Sequence, residues 1–280
     1  MKRLGGKEVG DAITASLIPE IKELSDKGRV PTLGILRVGA RGDDLAYERG
    51  IMKKFEAAGA GVKVVELPVD VSQEELDSSF DKLNNADDIH GILVFRPLPK
   101  GLSDEHIRST IKPSKDSDCM DIRNMAGVLA GDKNAMGPCT AEAVIRLIEH
   151  YGIETKGKKV AVIGRSLVIG RPVALMLIAR DATVTVCHTK TVDLPGECRN
   201  ADIIVACCGV ARTIGKDYMR EGQTVIDVGM NVDADGKLCG DVDYEEAEKT
   251  AEAATPVPGG VGSVTTSVLL KHVVNSCAGA

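Results

Sequence analysis

The stretch from Lys158 to Pro172, KKVAVIGRSLVIGRP, constrains the fold most. Its short apolar strand leads directly into a turn that begins at Gly164, and Gly170 precedes an apolar helical pattern. A strand, a glycine turn and a helix together bring a helix N-terminus to a phosphate group in α/β folds. The usual Gly-x-Gly-x-x-Gly spacing is altered, because Ser166 replaces the second glycine and Gly170 comes one residue late. The alternative is a tight strand-to-helix connection that binds no ligand.

Three further apolar runs of strand length follow this turn, at residues 182–188, 201–206 and 224–229. The first ends about 20 residues after the glycine turn, where a Rossmann unit places its ribose-recognition residue. Continuous apolar runs are typical of parallel strands that are covered on both faces. The second half of the chain is therefore predicted to be a nucleotide-binding α/β domain.

The first half also alternates between strand and helix patterns, which favours an α/β class for the whole chain. Asp43 or Asp44 is predicted to cap the second helix, and Ser72 begins a capping-box pattern. The polar stretch 115–131 is predicted to be a loop. The predicted strands are 31–39, 62–67 and 90–97, and the predicted helices are 9–24, 44–59, 103–111, 141–151, an acidic one at 244–254, and 264–276.

Composition limits the classes of function. The chain has 280 residues, enough for two domains, and its net charge of −6 argues against nucleic acid and anionic membranes as partners. No run approaches the roughly 20 apolar residues of a membrane span, and the N-terminus lacks a signal-peptide pattern, so a cytoplasmic location is expected. The eight cysteines form no C-x-x-C pair and no zinc spacing. We expect them to be reduced core thiols, and we expect no metal.

A second glycine-rich segment, TPVPGGVG at residues 255–262, stands just before the last helix. Free N–H groups and the small glycines let a ligand approach such a backbone closely. The pattern fits a hinge between domains equally well.

Several stretches closely resemble one family, the methylenetetrahydrofolate dehydrogenase/cyclohydrolases, called FolD in bacteria. These stretches follow the family's order and cover nearly the whole chain. They are residues 38–39 together with Tyr47, and residues 97–99, 115–118, 138–140, 164–172, 187–191, 240–242 and 255–262. The resemblance implies two domains with an active cleft between them. Residues 1–139 plus 263–280 would bind folate, residues 140–262 would form a Rossmann-like NAD(P)-binding domain, and the C-terminal helix would return to the first domain. It also implies a homodimer.

Departures from the family's pattern concern hydrolysis. The bifunctional pattern has Tyr-x-x-x-Lys on a first-domain helix and a Gln in a Val-Gln-Leu-Pro strand end, and this Lys and Gln serve hydrolysis of the methenyl bridge. Here Ile51 stands at the Lys position, Phe95 at the Gln position and Arg96 at the Leu position. Helical geometry makes neither Lys53 nor Lys54 a simple replacement.

The resemblance also assigns roles to pocket residues. Tyr47 would pack against the aminobenzoyl part of folate, and Asp118 would accept paired hydrogen bonds from the pterin ring. Taken singly, Tyr47 fits a core residue and Asp118 a solvated loop residue. Cys119 stands where the family usually has Gly. The other implied substrate-binding residues are Pro97, Leu98, Pro258, Gly259 and Gly260, and the implied cofactor-binding residues are Gly164, Arg165, Ser166, Gly170, His188, Thr189 and Thr140.

The sequence therefore predicts NADP-dependent oxidation of 5,10-methylenetetrahydrofolate to 5,10-methenyltetrahydrofolate, in one-carbon metabolism and purine biosynthesis, with weak or absent cyclohydrolase activity. Alternatives are a bifunctional enzyme that uses another base and a non-catalytic folate- or nucleotide-binding regulator. NADP is favoured over NAD because Arg165, Thr189 and Lys190 could meet a 2′-phosphate and no acidic residue closes the second strand. NAD stays possible, because relatives that use NAD also carry this arginine.

Overall fold

A computed structural model describes residues 1–132 and 134–279, which form two compact units. The three-strand unit consists mainly of Ala12–Gly127 and the chain from Thr266 onward. The six-strand unit consists mainly of Met1–Asp11 and Pro138–Thr265. The chain therefore has the predicted two-domain α/β architecture.

The three-strand unit has a parallel sheet in the order β3-β2-β4, with β2 in the centre. Its apolar core includes Leu36 of β2, Ile92 of β4 and Phe80 of α3, all buried. The strands are β2 (Thr32–Val38), β3 (Gly61–Leu67) and β4 (Gly91–Val94), and the helices that fall wholly or mostly in this unit are α1 (Gly6–Asp26), α2 (Gly42–Ala58), α3 (Gln73–Asn85), α4 (Glu105–Thr110), α5 (Ile122–Ala130) and α10 (Thr265–Gly279).

The caps of two helices test local sequence reasoning. The prediction for α3 is confirmed, because the Ser72 hydroxyl accepts the Glu75 N–H at 3.1 Å. The prediction for α2 was wrong, because its N-cap is Arg41 without a side-chain cap. Asp44 instead accepts the Arg41 Nε–H at 2.7 Å, and this charge-assisted bond competes with capping.

The stretch predicted as a loop at 115–131 contains a helix, so that prediction was wrong. The segment does have helical apolar spacing at Ile122, Met125 and Leu129, but Ile122 and Leu129 are exposed, so burial in the core does not account for this helix. The first turn of α5 is instead held by Asp121, which accepts the Arg123 backbone N–H at 2.6 Å and binds the Arg123 guanidinium.

The third strand is shorter than the predicted range of 90–97. Strand β4 ends at Val94, and a cis peptide bond joins Arg96 to Pro97.

The six-strand unit has a parallel sheet in the order β1-β11-β8-β7-β5-β6. Its core lies around buried residues such as Ile204 of β7 and Val225 of β8. The elements are β1 (Lys2–Arg3), β5 (Lys159–Ile163), β6 (Thr183–Cys187), β7 (Ile203–Ala206), β8 (Thr224–Asp227), β11 (Ala253–Ala254), the antiparallel pair β9 (Asn231–Val232) and β10 (Leu238–Cys239), and helices α6 (Cys139–His150), α7 (Gly170–Ile178), α8 (Leu194–Asn200) and α9 (Tyr244–Thr250).

This sheet differs from the sequence interpretation at its edges. The helix predicted at 244–254 ends at Thr250, and Ala253–Ala254 pairs with β1 as a strand. Strand β1 thus lies in the six-strand unit, although residues 1–139 were assigned to the other domain. Strand β6 lies at the opposite edge with Val186 exposed, so coverage on both faces does not extend to it. Among the helices of the described residues, none is both long and apolar enough to cross a bilayer.

Candidate functional site

The glycine turn of the six-strand unit is built so that only glycine fits at two positions. Gly164 has φ of +132°, and a Cβ on it would lie 2.3 Å from the Cys207 carbonyl oxygen. A Cβ on Gly170 would lie 2.2 Å from the carbonyl oxygen of Gly164. Because glycine has no side chain, the turn packs directly against the start of α7. The backbone from Gly164 to Gly170 thus forms a glycine cradle, which suits a phosphate at a helix N-terminus.

Two of the five residues between these glycines, Ser166 and Arg165, have different environments. The Ser166 hydroxyl oxygen accepts the N–H groups of Ile169 at 3.1 Å and Gly170 at 3.4 Å, so it closes the turn. Its hydrogen is left to donate to a phosphate oxygen. Arg165 is exposed, and its carbonyl accepts the Arg171 Nε–H at 3.1 Å. Arg171 was missed by sequence reasoning, because this role depends on the shape of the turn.

The register of the strands brings a second cationic turn to the same end of the sheet, where the carboxyl ends of the parallel strands lie. Ile163 of β5 pairs with Cys187 of β6 in parallel, so the segments that follow these two strands leave the sheet side by side. After β6, His188 Nδ1 accepts the Lys190 N–H at 3.1 Å, which leaves Thr189 and Lys190 exposed. Arg165, Thr189 and Lys190 therefore belong to adjacent turns, and residues 164–169 and 188–191 of these turns include no acidic residue. Asp193, at the end of the second connection, caps α8 by accepting the Gly196 N–H.

The TPVPGGVG loop starts at the same carboxyl end of the sheet, because β11, which precedes it, runs parallel to β8. Thr255 is buried, and its hydroxyl accepts the Asp227 N–H at 2.7 Å. A Cβ on Gly260 would lie 2.4 Å from the Pro256 carbonyl, and the Gly259 carbonyl accepts the Gly6 N–H at 2.8 Å. The loop is thus a fixed backbone turn. The structure places Pro258 on it, exposed after a cis peptide bond, and places Thr140 in the first turn of α6.

In the three-strand unit, the predicted substrate residues of α2 meet the end of β4. The Tyr47 and Phe95 rings pack with centroids 5.8 Å apart, and Tyr47 stays 38% exposed. Ile51, one turn further along α2, has no exposed surface. After the cis bond, Pro97 is exposed and Leu98 packs against the core. Buried apolar groups therefore stand at the two positions where the resemblance predicts a Lys and a Gln.

A tight loop presents Asp118. The buried Asp116 carboxylate accepts the N–H groups of Met120 at 2.9 Å and Asp121 at 2.8 Å, which folds the loop around itself. Cys119 has φ of +58°, a left-handed conformation that glycine adopts more easily than a residue with a Cβ does. The His272 Nδ1, on α10, lies 2.9 Å from the Ser117 carbonyl and fixes the loop from the other side.

Two polar contacts of this unit were not predicted from the sequence, although Lys54 itself was considered there as a replacement base. Buried Arg37 donates to Glu48 at 2.8 Å and to Glu66 at 3.0 Å, and its pKa is raised chiefly by the Glu66 hydrogen bond. An arginine within an apolar strand pattern was the available signal. Lys54 donates to the Ser267 hydroxyl at 2.8 Å, so its ammonium is directed to α10.

Thiol chemistry is disfavoured at the cysteines whose pKa is shifted. Burial raises the pKa of Cys119, Cys198 and Cys207 to about 12 and that of Cys208 to about 11, so these thiols are protonated near neutrality. Within residues 1–132 and 134–279, no group of three or more His, Cys, Asp or Glu side chains is arranged to hold a metal ion.

Comparison with known proteins gives full-length matches. Residues 4–118 match the family model of the tetrahydrofolate dehydrogenase/cyclohydrolase catalytic domain, and residues 138–280 match that of the NAD(P)-binding domain. The bifunctional protein FolD of Alkaliphilus oremlandii is 48% identical over 98% of this chain and 96% of its own length.

Two solved structures match along the chain as well. The bifunctional enzyme FolD of Campylobacter jejuni superposes with a TM-score of 0.96 at 37% identity, covering 100% of this chain and 99% of its own. The Trypanosoma brucei methylenetetrahydrofolate dehydrogenase-cyclohydrolase, solved with NADP cofactor and an inhibitor, has a TM-score of 0.92 at 38% identity, covering 98% and 96%.

Proposed function

Because this chain belongs to the tetrahydrofolate dehydrogenase/cyclohydrolase family, we propose that it oxidises 5,10-methylenetetrahydrofolate to 5,10-methenyltetrahydrofolate with a nicotinamide nucleotide. The observation that carries the proposal is the glycine cradle at Gly164 and Gly170, since a Cβ at either position would overlap the backbone. When bound, the nucleotide accepts the hydride. The protein contributes orientation and exclusion of water.

Particular residues support the proposed roles. The turn from Gly164 to Gly170 would hold the phosphates, with the Ser166 hydroxyl as a donor. Asp118 would accept two N–H groups of the pterin, and the exposed part of the Tyr47 ring would lie against the aminobenzoyl group. The apolar Phe95 would exclude water from the one-carbon bridge.

NADP is proposed as the preferred cofactor. Arg165 and Lys190 are exposed cations on adjacent turns, and a 2′-phosphate placed there would meet both. The Trypanosoma brucei relative was solved with NADP. NAD would lack this phosphate and gain nothing from the two cations.

The second candidate activity is hydrolysis of methenyltetrahydrofolate. The relatives' names favour a bifunctional enzyme over the dehydrogenase-only prediction, because the Alkaliphilus oremlandii and Campylobacter jejuni proteins are both called bifunctional. Against this, Ile51 and Phe95 are buried and apolar, and neither offers a proton donor or acceptor. Lys54 is bonded to Ser267, which does not support it as a substitute base.

The proposal is tested by assaying purified protein with methylenetetrahydrofolate and either nucleotide, in parallel with the decay of methenyltetrahydrofolate. We expect reduction of NADP faster than that of NAD, and dehydrogenation faster than enzyme-dependent hydrolysis. Robust enzyme-dependent hydrolysis by the wild-type protein would establish the bifunctional candidate. Absence of nucleotide reduction would refute the proposed function.

A further inference from the structure

Arg96 lies beside the carboxylate proposed to hold the pterin. Its Nη2 is 3.9 Å from Asp118 Oδ2, and its Nη1 is 3.8 Å from Asp104 Oδ2. The Arg96 side chain is 30% exposed, so it is partly buried between two acidic groups at the surface. The Val-Gln-Leu-Pro pattern of the resemblance has an apolar leucine where this chain has Arg96.

The guanidinium of Arg96 keeps its hydrogen-bonding capacity. Both of its ion-pair distances exceed that of a hydrogen bond. Among the residues that the structure describes, no side-chain hydrogen bond is formed by Arg96, whereas its carbonyl accepts an N–H of Arg41 at 3.4 Å. Asp104 is shared with Arg108, whose Nε lies 3.1 Å from it. Arg96 is therefore attracted by two carboxylates while its N–H donors stay available.

The chemistry of the pterin ring matches this arrangement. Along one edge the ring presents an amino group, a ring N–H and a carbonyl oxygen, which is the order donor, donor, acceptor. The Asp118 carboxylate supplies two acceptors, and a guanidinium beside it supplies a donor. Side by side, the two side chains present acceptor, acceptor, donor, the complement of that edge.

We propose that Arg96 is a specificity-determining residue of the folate site, which donates to the pterin carbonyl while Asp118 accepts from the two N–H groups. This inference rests on the proposed function and extends it. A leucine at this position would leave the carbonyl oxygen without a charged donor. Arg96 therefore gives this chain a stronger preference for 4-oxo pterins over 4-amino pterins, because a 4-amino group would direct its hydrogens at the guanidinium.

The test measures binding by titration calorimetry with full-length protein at saturating NADP. The two ligands are tetrahydrofolate and its 4-amino-4-deoxy analogue. Arg96→Leu is expected to weaken tetrahydrofolate binding about tenfold, the lower end of the effect of a charged hydrogen bond, because the site is partly exposed. Affinity for the 4-amino analogue should stay the same or rise, so the ratio of the two affinities falls.

Two further variants separate recognition from folding. Arg108→Leu removes the other cation on Asp104 and should leave both affinities unchanged. Arg96→Gln keeps an uncharged NH2 group as a donor and should recover part of the tetrahydrofolate affinity, which also provides a readout if the leucine variant is unstable. NADP affinity should be the same in all variants.

Some results would overturn the inference. If Arg96→Leu and Arg96→Gln bind tetrahydrofolate as the wild type does, Arg96 does not contact the pterin. If they lose affinity for both pterins equally, its role is structural. If the wild type binds no tetrahydrofolate, the proposed function fails together with the inference, whereas the first two results leave that function intact.

Discussion

The Phe95 ring packs against the Tyr47 ring, with centroids 5.8 Å apart and planes inclined by 32°. Through this contact the end of β4 meets the face of α2 that also carries Ile51, one helical turn away. Both Phe95 and Ile51 are buried, at 7% and 0% exposure. These two buried side chains, at the positions where the resemblance predicts a Lys and a Gln, are thus both apolar, and we call them the apolar patch.

Restoring both polar groups should create or strengthen hydrolysis. Ile51→Lys alone buries an ammonium without a partner and should fail, because burial disfavours the charged form. Ile51→Lys with Phe95→Gln supplies the partner, and we expect enzyme-dependent decay of methenyltetrahydrofolate to rise about tenfold or more, given the roughly 10²–10⁴-fold effect of a positioned acid or base. Ile51→Leu with Phe95→Leu is the matched apolar control and should show no gain. Hydrolysis that is fast in the wild type and unchanged in the first double variant would contradict this account of the patch.

Arg165→Ala should separate the two nucleotides. Arg165 is exposed on the turn that is proposed to bind phosphate, next to the turn that carries Lys190. Loss of a charged contact to a 2′-phosphate should raise the KM for NADP about tenfold and leave the KM for NAD nearly unchanged. The NAD measurement on the same variant is the internal control, and an equal rise for both nucleotides would show that Arg165 does not read the phosphate.

Asp118→Asn replaces one of two acceptors with a donor, which opposes a pterin N–H. Tetrahydrofolate binding should weaken by about 10–150-fold, the range for hydrogen bonds to a charged group, while NADP binding stays the same. Asp104→Asn is the control, because Asp104 also lies near Arg96. If Asp118→Asn and Asp104→Asn behave alike in calorimetry, Asp118 is only a surface residue of its loop.

The glycine turn after β5 and the N-cap of α3 were predictable from the sequence, because each depends only on residues that are close together in the chain. The Ser72 cap and the passage from β5 through Gly164 to α7 are examples, because their geometry is decided within a few positions. The start of helix α5 was not predictable, since its first turn depends on side chains of a loop that Asp116 folds, although the apolar spacing of Ile122, Met125 and Leu129 was an available signal for the helix itself.

Contacts between distant segments also required the structure. Arg96 and Asp118 come together because β4 and the loop at Asp116 meet at Ile92, which no local pattern encodes. The same holds for Arg37, whose partners Glu48 and Glu66 come from α2 and β3.

Stability should depend on pH through Asp227. Burial raises the pKa of this carboxyl from 3.8 to about 6, against hydrogen bonds from Val242, Asp241 and Gly229 that lower it. Because the folded state then binds the proton more tightly, the contribution to stability is present below the unfolded pKa and is lost as pH rises through about 6.

Comparison with Asp227→Asn isolates this contribution. The free energy of unfolding of the wild type, relative to the variant, should increase by about 2 kcal/mol between pH 7 and pH 4.5. Urea titrations at both pH values measure the change. A difference that does not vary with pH would show that the Asp227 pKa is not raised by folding.

Transfer of a labelled hydride tests the proposed reaction most directly. Methylenetetrahydrofolate that carries two deuterium atoms on its one-carbon bridge is incubated with the purified protein and NADP, and the reduced nucleotide is analysed by mass spectrometry. The account predicts one deuterium in each molecule of reduced nucleotide and one in the methenyltetrahydrofolate formed with it. Reduced nucleotide without deuterium, or no reduction at all, would contradict it.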